Sequence, residues 1–368
     1  MALPLPALFH AGQLLKCARL AGQFAHFLSY SPALIDALPP ARRSMALGDF
    51  LTEHGYSSEF AAQLLYPMLS VVCTCSYKAV AAYPAQIIVD YFGNKYGFSG
   101  AQCRAYGGTR DVVDRLTAPV RRVVTAATVT SAEAASLAEK PGGKLCSLSW
   151  RDADGVEHTE TFDEIVLAMQ ANASGRVLRT PHAVQLDALR AFEYESKRVV
   201  LHTDDQLMPP HARDWSPLNI VTQPEAEAAS VTVWMNRIDS DLRSQLRRPL
   251  FQTWNPVVEP AKSHVIADFS FERPVVNAAS VAAMAELKAS QGHGHVWFVG
   301  AYSRYSMPLL ENGVKSAMEV ARALGVDVSD VEFDESAVQA RRDSSSLTLS
   351  LILLVVAIAL TLAHASYF

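Results

Sequence analysis

The apolar positions of this chain follow a helical period in roughly its first hundred residues and an alternating period afterwards. In the segment SMALGDFLTEHGYSSEF, helical spacing puts Leu47, Phe50 and Leu51 on one face. Gly55 followed by Ser57 is typical of a helix end and a new helix start. The first part of the chain is therefore predicted to be an α-helical block with short connections.

The N-terminal segment is predicted to form an amphipathic helix rather than a signal peptide. Charged and imidazole side chains interrupt its apolar run, whereas a signal peptide carries positive charge first and an unbroken apolar stretch after it. The predicted apolar stripe consists of Leu14, Ala18, Ala21, Ala25 and Leu28.

After Gly107 and Gly108, a short helix over 110–116 is predicted to lead into a β-meander. Its predicted strands cover residues 120–130, 144–150, 156–162 and 164–168, with an exposed loop over 131–143. Asp154 and Gly155 suit the hairpin turn. The runs KRVVLHT, SPLNIV and ASVTVWMNRI predict a second, antiparallel sheet. A helix over 279–288, a buried strand over 295–302 and a last helix over 311–324 complete the pattern.

Composition narrows the class of protein. A chain of 368 residues that is 50% hydrophobic is long enough for two lobes with cores of their own. Its 32 basic and 37 acidic side chains give a net charge of -5, and its Arg pairs are scattered, so nucleic acid is not an expected partner. The five cysteines lack a CxxC pair and are expected to be reduced and buried. His293 and His295 lie in a glycine-rich turn without carboxylate or Cys partners, so no metal site is predicted.

The C-terminal tail carries the strongest purely physical signal. Residues 347–363, LTLSLILLVVAIALTLA, contain no charge, and a helix over 347–366 reaches the length of roughly 17 to 25 residues that spans a bilayer. Arg341 and Arg342 precede it, and the positive-inside rule keeps the globular body in the cytoplasm. The sequence predicts a single-pass C-terminal membrane anchor.

A strand–turn–helix pattern before the tail is the main candidate for chemistry. The apolar strand HVWFVGAY runs into Gly300 and Ala301, and a helix is predicted to begin around Gly313. Ligands in α/β folds bind at this end of a strand, and the unpaired N–H groups of a helix start favour negative charge. Small residues at Gly313, Ser316 and Ala317 would let a flat ring approach closely.

The segment WFVGAYSRYSMPLLENGVKSAMEVARALG resembles the C-terminal end of FAD-dependent amine-oxidase-like proteins, and LGDFLTEHGYSSEF, YGGTRDVVDRL, FDEIVLAMQANA and VTVWMNRI also have counterparts in that family. The resemblance implies FAD as cofactor and an oxidoreductase activity. A helix start would stabilise the negative charge that develops at N1 and the C2 carbonyl of the flavin on reduction. The implied cofactor contacts are Gly300, Ala301, Tyr302, Glu311, Asn312 and Gly313, with Gly107, Gly108, Arg110 and Val120 at the adenosine half. Asn312 replaces the usual Asp of the family, and Ala317 replaces a frequent Gly.

Several interpretations stay open from the sequence. Gly107 and Gly108 fit an ordinary turn as well as a cofactor contact. Weak candidates for lining a substrate pocket are Trp234, Asn236, Arg237 and Tyr305, although a packed strand with a surface Arg explains the first three equally well. No catalytic residue is assigned, because hydride transfer to a flavin needs orientation more than a proton-transfer triad.

The sequence contains no GxGxxG, the turn that receives the FAD pyrophosphate in such flavoproteins. Two functions therefore compete. The first is a membrane-tethered FAD-dependent oxidoreductase acting on a small-molecule or lipid-like substrate, and the second is a truncated or flavin-free homologue that acts as a non-enzymatic binding protein. A strand–GxGxxG–helix encoded further upstream is a third expectation.

The predicted fold class is α+β / α/β, with a partial FAD-binding domain of the amine-oxidase-like, GR2-type kind, a substrate domain and a C-terminal transmembrane helix. Residues 1–105 are the helical part of the substrate domain, 106–180 the partial FAD-binding domain with its β-meander, and 181–290 the antiparallel sheet of the substrate domain. Residues 291–330 form the strand–turn–helix that closes the FAD site, 331–346 a linker and 347–366 the membrane helix.

Overall fold

The computed structural model describes residues 5–93, 105, 107–134, 146–180, 182–223 and 226–329. The predicted linker over 331–346 and the predicted membrane helix over 347–366 lie outside these residues. Within them, no helix is both long enough and apolar enough to cross a bilayer.

The described residues have a mixed α+β fold. The helices are α1 (Leu5–Ala37), α2 (Leu47–Glu53), α3 (Ser58–Phe60), α4 (Tyr66–Cys73), α5 (Tyr77–Ala82), α6 (Ala85–Gly93), α7 (Gly108–Thr117), α8 (Ala171–Val177), α9 (Ala183–Arg190), α10 (Met235–Ile238), α11 (Ser240–Gln245), α12 (Ala278–Ala289) and α13 (Leu310–Ala323). The strands are β1 (Thr128–Glu133), β2 (Cys146–Arg151), β3 (Glu157–Phe162), β4 (Ile165–Leu167), β5 (Leu178–Arg179), β6 (Tyr194–His202), β7 (Leu218–Val221), β8 (Ser230–Trp234), β9 (Phe251–Trp254), β10 (Val265–Pro274) and β11 (Val296–Phe298).

Two compact units divide these elements between them. The first unit joins the residues up to Asp90 with Phe192–Val281, and the second joins Tyr91–Ala191 with the described residues from Ala282 onwards. Both units are therefore discontinuous in sequence, and each contains helices and a sheet of its own.

Aromatic side chains hold the helical part of the first unit together. Phe24 and Phe27 of α1 are at most 1% exposed, and the Phe27 ring meets the Tyr56 ring edge-on at 5.7 Å. Ser57 begins α3 by accepting the N–H of Phe60 at 3.1 Å, as an N-cap does. The bounds of α2 and α3 match the helix end and restart predicted at Gly55 and Ser57.

The predicted apolar stripe of α1 was only partly right. Among the residues of α1 whose side chains the structure describes, the buried ones are Cys17, Leu20, Ala21, Phe24, Phe27, Ser31 and Ile35. Ala21 belongs to both sets, whereas Ala18 is exposed. The two phenylalanines decide the orientation, because burial of a large aromatic side chain gains more free energy than burial of an alanine.

The sheet of the first unit has the strand order β10-β6-β9-β8-β7 and antiparallel pairing throughout, as the sequence predicted. The prediction of a continuous strand through MNRI was wrong, because β8 ends at Trp234 and the next four residues form α10. The side chain of Asn236 explains the end of the strand. Its Oδ1 accepts the N–H of Leu250 at 2.7 Å and its Nδ2 donates to the Arg248 carbonyl at 3.3 Å, so the chain turns toward β9.

The second unit contains two small sheets. One has the order β3-β2-β1-β5, in which β1 and β2 pair antiparallel and β1 and β5 pair parallel. In the other, β11 and β4 pair parallel, with Val296 opposite Ile165 and Phe298 opposite Leu167. The parallel pair places the end of β11 beside the end of β4, which is where the candidate site begins.

The strand predicted over 120–130 is present only in its last residues. Pairing with β2 starts at Thr128, opposite Arg151, where β2 ends. Val120 and Val123, which precede this pairing, are 51% and 55% exposed. The predicted loop over 131–143 was also partly wrong, since residues 131–133 belong to β1 and residues 135–143 lie outside the described residues.

Candidate functional site

The strand β11 is followed by a tight turn. Val296 and Phe298 are fully buried, as the apolar run predicted, and the Val299 N–H donates to the Leu167 carbonyl at 3.1 Å. This strand is shorter than predicted, because the backbone leaves the sheet at Gly300 and forms a 3-10 turn over Ala301–Ser303. Gly300 therefore lies at the carboxyl end of a parallel strand, where α/β folds bind their ligands.

Gly300 is required by its neighbour Tyr302 rather than by its own backbone angles. Its φ of 161° and ψ of 160° describe extended backbone that any residue adopts. A Cβ added at this position would lie 2.6 Å from Cε1 of Tyr302, whose side chain is 5% exposed. The buried phenol ring thus occupies the space that a side chain at position 300 would need.

A buried serine joins this turn to the last helix. The Gly300 N–H donates to Oγ of Ser316 at 2.9 Å, and the same hydroxyl donates to the Gly313 carbonyl at 2.8 Å. A Cβ added at Gly313 would lie 3.8 Å from the nitrogen of Ala301, which is ordinary van der Waals contact. Within the described residues, the Ala301 N–H has no hydrogen-bond partner. The structure therefore brings together Gly300, Ala301 and Gly313 and leaves one backbone donor open.

The helix α13 covers Leu310–Ala323, one residue earlier at each end than the helix predicted over 311–324, and Gly313 lies in its first turns. The N–H groups of Asn312 and Gly313 both donate to the Leu309 carbonyl, at 3.0 and 3.4 Å, so neither is a free donor of the helix start. The Asn312 side chain is buried and its Nδ2 donates to the Met307 carbonyl at 2.6 Å. An ionised Asp could not donate this bond, which gives Asn312 a structural role in the loop.

Glu311 lies in the first turn of α13, beside the positive end of the helix dipole. Its carboxylate is paired with Nζ of Lys315 at 2.7 Å. The ion pair with Lys315 offsets part of the negative charge that Glu311 places at this end of the helix.

The proposed adenosine contacts lie on and around α7: Gly107 is its N-cap residue, Gly108 and Arg110 lie in its first turn, and Val120 follows its end. Gly108 has a φ of +72°, a conformation that L side chains rarely adopt. A Cβ at Gly107 would lie 2.5 Å from Cβ of Asp111. Arg110 is exposed, and α7 buries no side chain. Local backbone geometry thus accounts for both glycines without a cofactor.

The weak substrate candidates Trp234, Asn236 and Arg237 lie in the first unit. The Trp234 ring packs edge-on against Trp215 at 5.2 Å, and the Arg237 guanidinium lies 5.5 Å above the Trp234 ring. The Asn236 amide is hydrogen bonded to the backbone carbonyl of residue 248 and the backbone N–H of residue 250. Packing therefore explains these three residues, whereas Tyr305 of the second unit is 38% exposed in the loop before α13.

Sequence reasoning missed Glu164, which holds the N-terminal end of β11. One carboxylate oxygen of Glu164 lies 2.8 Å from Nδ1 of His295, and the other accepts Nε1–H of Trp297 at 2.7 Å. No local pattern reveals a contact between residues 131 positions apart. Together with Ser316, this carboxylate fixes both ends of the short strand.

Comparisons with known proteins give fold similarities of low sequence identity. No family model and no curated protein matches the chain. A CLA-producing fatty acid isomerase from P. acnes is similar with a TM-score of 0.47 and 11% identity, over 87% of this chain and 77% of the other. A reduced UDP-galactopyranose mutase is similar with a TM-score of 0.46 and 10% identity, over 78% of this chain and 68% of the other. Cyclohexylamine oxidase from Brevibacterium oxydans IH-35A is similar with a TM-score of 0.46 and 14% identity, over 88% of this chain and 77% of the other. At these TM-scores and identities, neither a family nor an activity is carried over to this chain.

Proposed function

We propose that this chain is an FAD-dependent oxidoreductase of the amine-oxidase-like superfamily that is tethered to a membrane and acts on an apolar, lipid-like substrate. The observation that carries the proposal is the Gly300–Ala301 turn, which Ser316 holds against the start of α13. This turn offers the Ala301 N–H at the place where the sequence resembles the flavin-binding end of that family.

The residues present fit the ring of FAD better than its phosphates. Gly313 carries no side chain that would keep a flat ring away, and the first turn of α13 favours negative charge. A bound flavin would accept the hydride, and its ring would become more negative as it does so. The Ala301 N–H and the fixed helix terminus would stabilise that charge without reorganising.

The phosphates of FAD have no such counterpart in the sequence. The chain contains no GxGxxG, and the charge-assisted bonds of a pyrophosphate site carry much of the affinity for a dinucleotide. We therefore expect this chain to bind FAD more weakly than a flavoprotein that has a complete pyrophosphate site.

The apolar segment over 347–363 supports the tether and the class of substrate. An uncharged segment of this length favours the bilayer over water. A globular body held at a membrane surface meets lipid-like molecules at high local concentration. The role of the chain's own residues is then to orient the substrate against the ring, since hydride transfer depends on orientation.

A flavin-free binding protein is the second candidate function, and the lack of a GxGxxG favours it. A titration of the detergent-solubilised chain with FAD, followed by flavin fluorescence, separates the two candidates. Gly313→Ala should weaken FAD binding at least about tenfold, a change of about 1.4 kcal/mol. The thermal midpoint should stay unchanged, because the added Cβ makes ordinary contact at 3.8 Å.

Gly22→Ala is the matched control, since a Cβ at this helical position of the first unit meets nothing within 4 Å. It should bind FAD as the unmodified chain does. Failure of the unmodified chain to bind FAD at any concentration tested would overturn the oxidoreductase proposal and leave the binding protein.

A further inference from the structure

Two cysteines of the first unit are brought together by a left-handed residue at the end of α4. Cys73 is the last residue of that helix, and Thr74 follows with φ 52° and ψ 44°. The Cys75 N–H donates to the Ser70 carbonyl at 3.2 Å, and the Ser70 hydroxyl donates to the Cys75 carbonyl at 2.7 Å. These bonds fix the backbone on both sides of Thr74, so the two cysteines face each other from one rigid turn.

The two thiols lie in the interior and touch each other. Cys73 is 4% exposed and Cys75 is 0% exposed, and no disulfide joins them. Their side chains are hydrogen bonded, and this bond together with burial holds the pKa of Cys73 well above its ordinary value. The Cys73 thiol is therefore protonated and poorly nucleophilic when nothing is bound to it.

A tyrosine hydroxyl and a guanidinium complete the cluster. Tyr83 is fully buried, and within the described residues its hydroxyl has no hydrogen-bond partner of ordinary geometry, although it faces the sulfur of Cys73. Nε of Arg273 donates to Oγ1 of Thr74 at 2.6 Å, and its positive charge acts on Cys73. The cluster thus offers two sulfur ligands, one buried hydroxyl donor and one cation.

We propose that Cys73 and Cys75 form a two-coordinate site for a soft monovalent cation, with Cu(I) as the physiological candidate. Thiolate ligands select such ions. A structural zinc site needs four ligands, and the described residues contain no group of three His, Cys, Asp or Glu side chains that could hold a metal. A linear bis-thiolate needs only the two sulfurs that the turn supplies.

Charge and proton balance favour a monovalent ion. Binding converts two thiols and one Cu(I) into a bis-thiolate complex of charge −1 and releases two protons, with no change in oxidation state. The positive charge of Arg273 offsets the complex in the interior, where an unpaired charge is costly. The Tyr83 hydroxyl, which faces the sulfur of Cys73, can donate to its thiolate.

Binding the ion requires the two side chains to move. A metal–sulfur bond of roughly 2.3 Å, as for zinc, puts two sulfurs about 4.6 Å apart in a linear complex. The two hydrogen-bonded sulfurs would reach that distance by rotation about their Cα–Cβ bonds, with the backbone held by the bond from Ser70 to the Cys75 carbonyl.

Competition against a Cu(I) chelator tests the site. The reduced full chain, solubilised in detergent and free of oxygen, is titrated with bicinchoninate-buffered Cu(I), and bound copper is counted per chain. We expect one Cu(I) per chain, an affinity that rises up to about a hundredfold per pH unit because two protons are released, and the same stoichiometry with Ag(I) as a redox-silent probe.

Cys73→Ser and Cys75→Ser should each lower the affinity at least about a hundredfold, whereas Cys17→Ser, which also changes a buried cysteine of the first unit, should keep it. Arg273→Gln leaves both sulfurs in place and should lower the affinity about tenfold, which keeps the test valid if a cysteine variant fails to fold. Wild-type affinity in both cysteine variants would overturn the proposal. Wild-type affinity in folded Arg273→Gln, combined with loss of bound copper in Cys17→Ser, would overturn it as well. So would the absence of bound Cu(I) in the unmodified chain.

Discussion

Oγ of Ser316 lies 2.9 Å from the backbone nitrogen of Gly300 and accepts its N–H. The same hydroxyl donates to the Gly313 carbonyl one helical turn away, at 2.8 Å. Two segments that the family resemblance assigns to the flavin are therefore held as one piece by a side chain between them. The geometry of the proposed site depends on this serine as much as on the glycines.

Ser316→Ala should destabilise the fold and weaken FAD binding together. The partly buried Gly300 N–H loses its acceptor, which costs about 1–3 kcal/mol, and the turn is no longer fixed against α13. Denaturant unfolding and FAD titration measure the two effects. Ser149→Ala, which removes a hydroxyl bonded to Thr159 on an exposed hairpin, should change neither. Wild-type FAD affinity in Ser316→Ala would show that the tie is not part of the site.

Gly107→Ala should loosen α7, because the new Cβ would lie 2.5 Å from Cβ of Asp111. The added change Asp111→Gly removes that collision and should restore part of the protection of residues 108–117 in hydrogen–deuterium exchange. Since local geometry explains the glycine, the double variant should bind FAD as the unmodified chain does. A large loss of affinity in a double variant with restored protection would instead assign Gly107 to the cofactor.

His202 should make the stability of the first unit depend on pH. Burial lowers the pKa of this fully buried imidazole, whose Nδ1 accepts the Asp204 N–H at 3.2 Å and whose Nε2 lies 2.7 Å from Oγ1 of Thr253. The unfolded chain then binds the proton more readily than the folded chain. The free energy of unfolding is therefore highest above pH of about 6.5 and falls as the pH drops toward the lowered pKa.

His202→Gln keeps a donor for Thr253 and removes the titration. Its free energy of unfolding should fall less steeply between neutral and mildly acidic pH, by up to about 1.4 kcal/mol per pH unit for one proton. His211→Gln makes the same change at an exposed residue and should keep the wild-type slope. Equal slopes in the two variants would contradict the role of His202.

Two arginines in the apolar tail should release the chain from membranes. Each of Leu354→Arg and Val355→Arg costs about 2.5–3.5 kcal/mol near the centre of a spanning helix. The unmodified chain, mixed with liposomes, should float in a density gradient, and the double variant should stay with the soluble fraction. Leu354→Ile with Val355→Ile is the matched control and should float. Flotation of the arginine variant would show that this segment does not anchor the protein.

The sequence predicts those helices and strands whose position follows from the chemistry of their own residues. The helix restart at Ser57 and the buried strand around Phe298 follow from capping chemistry and apolar runs. The strand predicted from Val120 is wrong because β propensity needs a partner, and pairing with β2 begins only at Thr128.

The candidate site likewise contains features that the sequence predicts and features that it does not. Glycine spacing and apolar pattern indicate the turn at Gly300 and the helix near Gly313 from the sequence alone. Two contacts do not follow from any local pattern, because tertiary packing determines their partners. They are the buried hydrogen bond from Asn312 to the Met307 carbonyl and the contact of Glu164 with His295. The meeting of Cys73 and Cys75 likewise depends on one left-handed residue, Thr74, that no propensity predicts.

One visible absorption spectrum tests the redox proposal most directly. The full chain is purified in detergent and run on a gel-filtration column equilibrated with excess FAD, so that a weakly bound cofactor is retained, and the absorbance of the buffer is subtracted. We expect the protein peak to be yellow, with a flavin band that approaches one FAD per chain and that Gly313→Ala reduces. A colourless peak from the folded, unmodified chain would contradict the assignment of the Gly300–Ala301 turn and α13 to a flavin.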